Sequence, residues 1–132
     1  MLVVMAEQDN LYHKLMGLDQ YAEFRKEPTK TFYWRKHAAL QEYMERLWVD
    51  RTGQSSDSLN CQDMHLDEED IEELRKAILS GFKDCRSGGN LFYGHEFQDE
   101  SVKEYQEDDL RFCDEAMKAI ERGETVIYSC WW

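Results

Sequence analysis

Residues 18–24 alternate along the chain, with Leu18, Gln20, Ala22 and Phe24 on one side and Asp19, Tyr21 and Glu23 on the other. That period of two predicts a strand from about Gly17, with a tyrosine on its second face. Pro28, the only proline, fixes its own φ and restricts Glu27, so EPTK ends the strand. Beyond it, Tyr33, Ala39 or Leu40, Tyr43 or Met44, and Leu47 recur every three to four residues, with Trp34 and Trp48 widening the stripe. This predicts a helix over TFYWRKHAALQEYMERLW, residues 31–48, capped by Thr29 or Thr31 and supported by a Glu42–Arg46 pair. Its opening aromatics are expected to be core.

RTGQSSDS, residues 51–58, has no period and reads as a loop. Alternation returns in LNCQDMHLD, where Cys61, Asp63 and His65 oppose Asn60, Gln62, Met64 and Leu66, predicting a second short strand. Asp67 then caps a helix, with Asp70 placed to complete a capping box and Glu68 and Glu69 favoured by the helix dipole. Ile71, Leu74, Ala77 and Ile78 make its buried stripe and Gly81 its end. The acids of this run therefore serve a helix start before any ligand.

KDCRSGGNLFYGHEF frees the backbone at Gly88, Gly89 and Gly94 around Leu91–Tyr93, without the spacing of a phosphate-binding loop. It is expected to tuck its apolar tip into the core. A last helix runs from near Asp99 to Glu121, with Val102, Tyr105, Asp109, Phe112 or Cys113, Ala116 and Ile120 on one face. After Gly123, ETVIYSCWW reads as a β-branched, aromatic edge strand. The elements amount to an α+β fold, with three main helices packed on a small sheet of about three short strands. Residues 1–15 show no sustained period and are expected to form a leader that contributes little to a single domain over 16–132.

Charge narrows the functional classes. Formal charge is −12 over 132 residues, and residues 61–132 carry −11 of it. Such a field repels nucleic-acid phosphates and anionic lipid, so no direct nucleic-acid binding is expected, and a basic partner protein fits better. No stretch approaches the ~20 apolar residues of a membrane span, and MLVVMAEQ lacks the basic start of a signal peptide. Cys61, Cys85, Cys113 and Cys130 form no CxxC or CxxH pair, so zinc has no local anchor, and reduced thiols in a cytoplasmic protein are expected.

Several segments together resemble a group of small, uncharacterised bacteriophage and prophage proteins. They are MGLDQYA at 16–22, YWRKHAALQEYMERLW at 33–48, NC at 60–61, LDEEDIEEL at 66–74, GGNLFYG at 88–94, DLRFCDEAMKAI at 109–120 and VIYSCWW at 126–132. The chain departs from the group at Ala38, Gln41 and Tyr43, where relatives carry an Asn and often His–x–Trp. It also departs at NLFYG, where they carry a phenylalanine-rich GFFFG. The resemblance bears on fold and carries no activity or catalytic residues with it, and no cofactor is expected. It implies an auxiliary or host-modulating phage protein that contacts a host or phage protein, in the host cytoplasm if phage-encoded.

Among candidate site residues, Asp109 is an acid on an apolar stripe, and a buried carboxylate needs a partner. Arg35 is the expected partner, in a structural or ligand-binding pair shielded by Tyr33 and Trp34. Trp34, His65, Tyr93 and His95 are candidate surface or pocket residues. The main expectation is a non-catalytic acidic interaction protein, with a homodimer possible. The alternative is a small hydrolase or nucleotide-processing enzyme built on His65, His95 and nearby acids. No metal site is expected.

Overall fold

The computed structural model describes residues 14–25, 30–83 and 95–132. Strand β1 spans Asp19–Arg25 and turns Gln20, Ala22 and Phe24 inward, as the alternation requires. Strand β2 spans Lys30–Arg35 and pairs antiparallel with β1, Gln20 opposite Trp34 and Ala22 opposite Phe32.

The expected helix start at 31–35 is therefore a strand. Phe32 and Trp34 alternate inward against Thr31, Tyr33 and Arg35, and β-branched and aromatic side chains fit a half-buried pleat. Lys36, in the left-handed region at φ 58°, breaks the chain direction before the helix begins. Neither Thr29 nor Thr31 caps it. Helix α1 spans Ala38–Thr52, and its N-cap is His37, whose Nδ1 accepts the Leu40 N–H at 3.3 Å.

Strand β3 spans Asp63–Leu66 with Met64 and Leu66 buried. Helix α2 spans Glu68–Leu79 behind the expected capping box. The Asp67 carboxylate accepts the Asp70 N–H at 2.9 Å, and Asp70 accepts the Asp67 N–H at 2.8 Å. The first of these bonds holds the Asp67 carboxyl below its usual range. Ile71, Leu74, Ala77 and Ile78 are the buried stripe, as their spacing predicts. Helix α3 spans His95–Glu121, starting a turn before the expected Asp99.

The last strand, β4 (Thr125–Trp131), is central and not an edge. The order is β2-β1-β4-β3, antiparallel at every pairing, so β4 lies between β1 and β3. Val126, Ile127, Tyr128 and Cys130 are buried accordingly. The architecture is α+β, with helices packed against one face of a four-stranded sheet, one strand more than expected. Phe112 of α3 knits that interface, edge-on to Phe32 at 5.4 Å and to Trp34 at 5.2 Å. The Trp34 side chain is thus part of the core.

The packed chain reaches back past Met16. Leu15 is core, and the buried Lys14 ammonium lies 2.5 Å from the buried Glu45 carboxylate and 4.0 Å from the centre of the Trp132 ring.

Candidate functional site

Asp109 is buried, but its partner is not Arg35. Arg35 ends β2 on the solvent side, exposed, and makes no ion pair with Asp109. His37 takes that place, its Nε2 lying 2.7 Å from Asp109 Oδ2, with His37 0% and Asp109 1% exposed. The two elements that meet here are the start of α1, fixed by the turn at Lys36, and the middle of α3.

Around the dyad, the interior is polar and ordered. Gln20 of β1 clamps the His37 backbone, its Oε1 accepting the N–H at 2.9 Å and its Nε2 donating to the C=O at 3.0 Å. The same Nε2 donates to the Tyr128 hydroxyl at 3.1 Å, and that hydroxyl donates to Gln41 Oε1 at 2.5 Å. Gln41 Nε2 lies 3.4 Å from Cys130 Sγ. Burial pushes the Tyr128 phenol well above its usual range, and the Cys130 and Cys113 thiols up to about 12. These groups stay protonated.

A His–Asp pair invites a catalytic reading, and the geometry argues otherwise. Nδ1 accepts a backbone N–H, which places the ring proton on Nε2, facing Asp109. Both ring nitrogens are thereby engaged, and a general base needs one nitrogen turned to substrate. Tyr105 of α3 stacks on the imidazole at 4.8 Å and Phe82 meets it edge-on at 5.9 Å. The dyad joins α1 to α3 and caps α1. Among the described residues, Asp109 Oδ1 has no hydrogen-bond partner.

His65 lies exposed on β3, in a shallow depression with Arg51, Asp67, Glu68, Asp70 and Glu124. Three of those acids already have structural work. Asp67 and Asp70 form the capping box, Asp70 also pairs with Arg51, and Glu124 pairs with Arg122 at 2.9 Å. Tyr93 and the side chain of His95 lie outside the described residues. Among the described residues no three His, Cys, Asp or Glu side chains converge as metal ligands, and no helix is long and apolar enough to cross a membrane.

The solvent face of the sheet is more open. Tyr33, 53% exposed, lies across from Tyr21 with ring centres 5.2 Å apart, and its hydroxyl donates to Asp19 at 2.5 Å. That bond raises the Tyr33 phenol above its usual range. Trp131, 65% exposed, pairs with Asp19 on the other side. Among the described residues on this face, only Ile127 has a buried side chain. Beside β2, a groove runs between Thr31–Trp34 and the α3 residues Asp108, Arg111 and Glu115.

The residues that sequence reasoning missed are His37 and Tyr105. The signal for His37 was its place directly before AAL, in the position where a helix needs a cap. Comparison with family models, curated proteins and solved structures returns no match.

Proposed function

We propose that this chain is a non-catalytic acidic protein that acts by binding another protein. The observation that carries the reading is the solvent face of the sheet, where Tyr33 and Trp131 stand exposed on either side of Tyr21. Aromatic side chains supply the anchors of protein interfaces, because they bury large area with few rotatable bonds. The charge of −12 selects a basic partner and disfavours both nucleic acid and a second copy of this chain. The resemblance to small bacteriophage proteins supports a host or phage protein as that partner, and a cytoplasmic setting.

The alternative enzyme reading draws on one observation, His65 beside Glu68 and the capping acids. One experiment separates the two. The tagged chain and its Trp131→Glu variant are passed through host lysate, and both are screened for ester and nucleotide turnover beside His65→Ala. The proposal expects a defined basic protein that is retained by the parent, lost from Trp131→Glu and released by salt, with no turnover. Turnover abolished by His65→Ala, with no protein retained, would overturn it.

A further inference from the structure

In an antiparallel strand the N–H and C=O of one residue point to the same side, and those of the next residue to the other. The Tyr105 hydroxyl, reaching from α3, accepts the Arg35 N–H at 3.3 Å and donates to the Arg35 C=O at 2.6 Å. The polar backbone groups of Arg35 therefore face away from β1, and so do those of Tyr33 and Thr31. Phe32 and Trp34 turn theirs toward β1. The far side of the sheet keeps the same rule. Cys130 offers its C=O to the Cys61 N–H at 2.9 Å, and the outward C=O of His65 on β3 accepts from Arg51 at 2.7 Å.

Thr31 and Tyr33 thus present two N–H and two C=O groups at an edge where none has a partner among the described residues. We propose that this edge of β2, from Thr31 to Tyr33, is a strand-addition site for an extended, basic segment of a partner protein. The inference rests on the reading that the chain binds another protein, and it names the contact.

Three features favour that occupant. Backbone pairing with a free edge takes an extended chain of any sequence, with side-chain pockets adding selectivity. Asp108 and Glu115 line the facing wall beside Arg111, whose guanidinium is held by Asp108 at 2.9 Å. A lysine or arginine on the incoming strand meets net negative charge, as it does across the whole chain. Tyr105 closes the edge at Arg35, which sets where the added strand stops. Natural proteins blunt unused edges with proline, bulges or charge, and between Thr31 and Tyr33 β2 carries none of these.

The test is a titration of the isotope-labelled chain, followed by amide NMR, with a short acetylated peptide of alternating lysine and valine. Two controls accompany it: the same peptide N-methylated at alternate residues, and a glutamate–valine counterpart. The lysine–valine peptide is expected to saturate, to shift the Thr31 and Tyr33 amides and slow their exchange, and to weaken with salt. Both controls and the Thr31→Pro variant are expected to bind about tenfold more weakly or worse, the scale of losing one or two backbone hydrogen bonds. Absence of shifts at Thr31 and Tyr33, or equal binding by the N-methylated peptide, would overturn the inference, even if Thr31→Pro failed to fold. A lysate partner held equally by the parent and a folded Thr31→Pro would overturn the edge while leaving protein binding intact. A parent that captures nothing overturns that broader reading, and the peptide titration still judges the edge.

Discussion

The two edges of the sheet are finished differently. β3 is four residues long, and its outward His65 carbonyl is taken by Arg51 of α1, whose guanidinium is itself held by Asp70. β2 is six residues long, and among the described residues only Tyr105 of α3 closes its outward side, at the last residue. In both cases a helix supplies the side chain that satisfies the backbone. The difference lies in reach: on the short edge the cap takes the His65 carbonyl, while on the longer one the backbone groups of both Thr31 and Tyr33 have no partner among the described residues. An unpaired edge invites another chain, so the longer open run on β2 reads as the place of contact.

A proline scan breaks the comparison most severely. Phe32→Pro removes a ladder hydrogen bond and a core ring, and is expected to cost about 3 kcal/mol or more. Thr31→Pro removes an N–H that points off the sheet and should cost about 1 kcal/mol or less. Urea unfolding reads both; equal losses would show that the register is wrong.

The dyad comes next, because His37 supports the Tyr105 ring that closes β2. His37→Ala leaves a buried carboxylate unmatched, at about 3–5 kcal/mol, and Asp109→Ala leaves a buried imidazole N–H unmatched, at about 1–3 kcal/mol. His37→Ala also removes the cap of α1, worth about 1 kcal/mol. A double-mutant cycle should show strong coupling for this pair and coupling near zero between Arg35 and Asp109.

Smaller effects follow from removing each edge cap. Tyr105→Phe and Arg51→Ala are expected to cost about 1 kcal/mol each, because both groups are partly solvated. Tyr105→Phe should also speed exchange of the Arg35 amide, extending the open edge by one residue.

The smallest effect is chemical and contrasts the rim of the sheet with its centre. Near neutral pH, alkylation mapped by mass spectrometry should find Cys61, exposed before β3, modified, and Cys113 and Cys130 protected. Burial raises those two thiols from 9.0 to about 12 in the fold. Unfolded thiols ionise first, so the contribution to stability is intact below pH 9 and is lost as pH rises toward 12. A midpoint that improves with alkali would contradict this.

Much of this was legible in the sequence where one period governed a whole element. β1 and β3 follow their alternation, and α2 follows Asp67, Asp70 and the stripe from Ile71 to Ile78. Residues 31–48 failed because two periods abut without glycine or proline between them. Lys36 makes the break at φ 58°, a conformation that lysine does not advertise. That error hid His37 as a cap, and with it the partner of Asp109. The need of Asp109 for a partner was readable from its place on an apolar face. The partner's identity depended on where α1 begins. The central position of β4 and the state of each edge arise from long-range pairing, which local patterns do not encode.

β2 turns Thr31 and Tyr33 outward, with backbone groups that have no partner among the described residues. Native-state amide exchange measured residue by residue along β2 tests it most directly. The expected pattern is alternation: fast exchange at Thr31 and Tyr33, slow exchange at Phe32 and Trp34, and intermediate protection at Arg35 from its bond to Tyr105. Uniform protection across residues 31–35, or slow exchange at Thr31 and Tyr33 with fast exchange at Phe32 and Trp34, would contradict it.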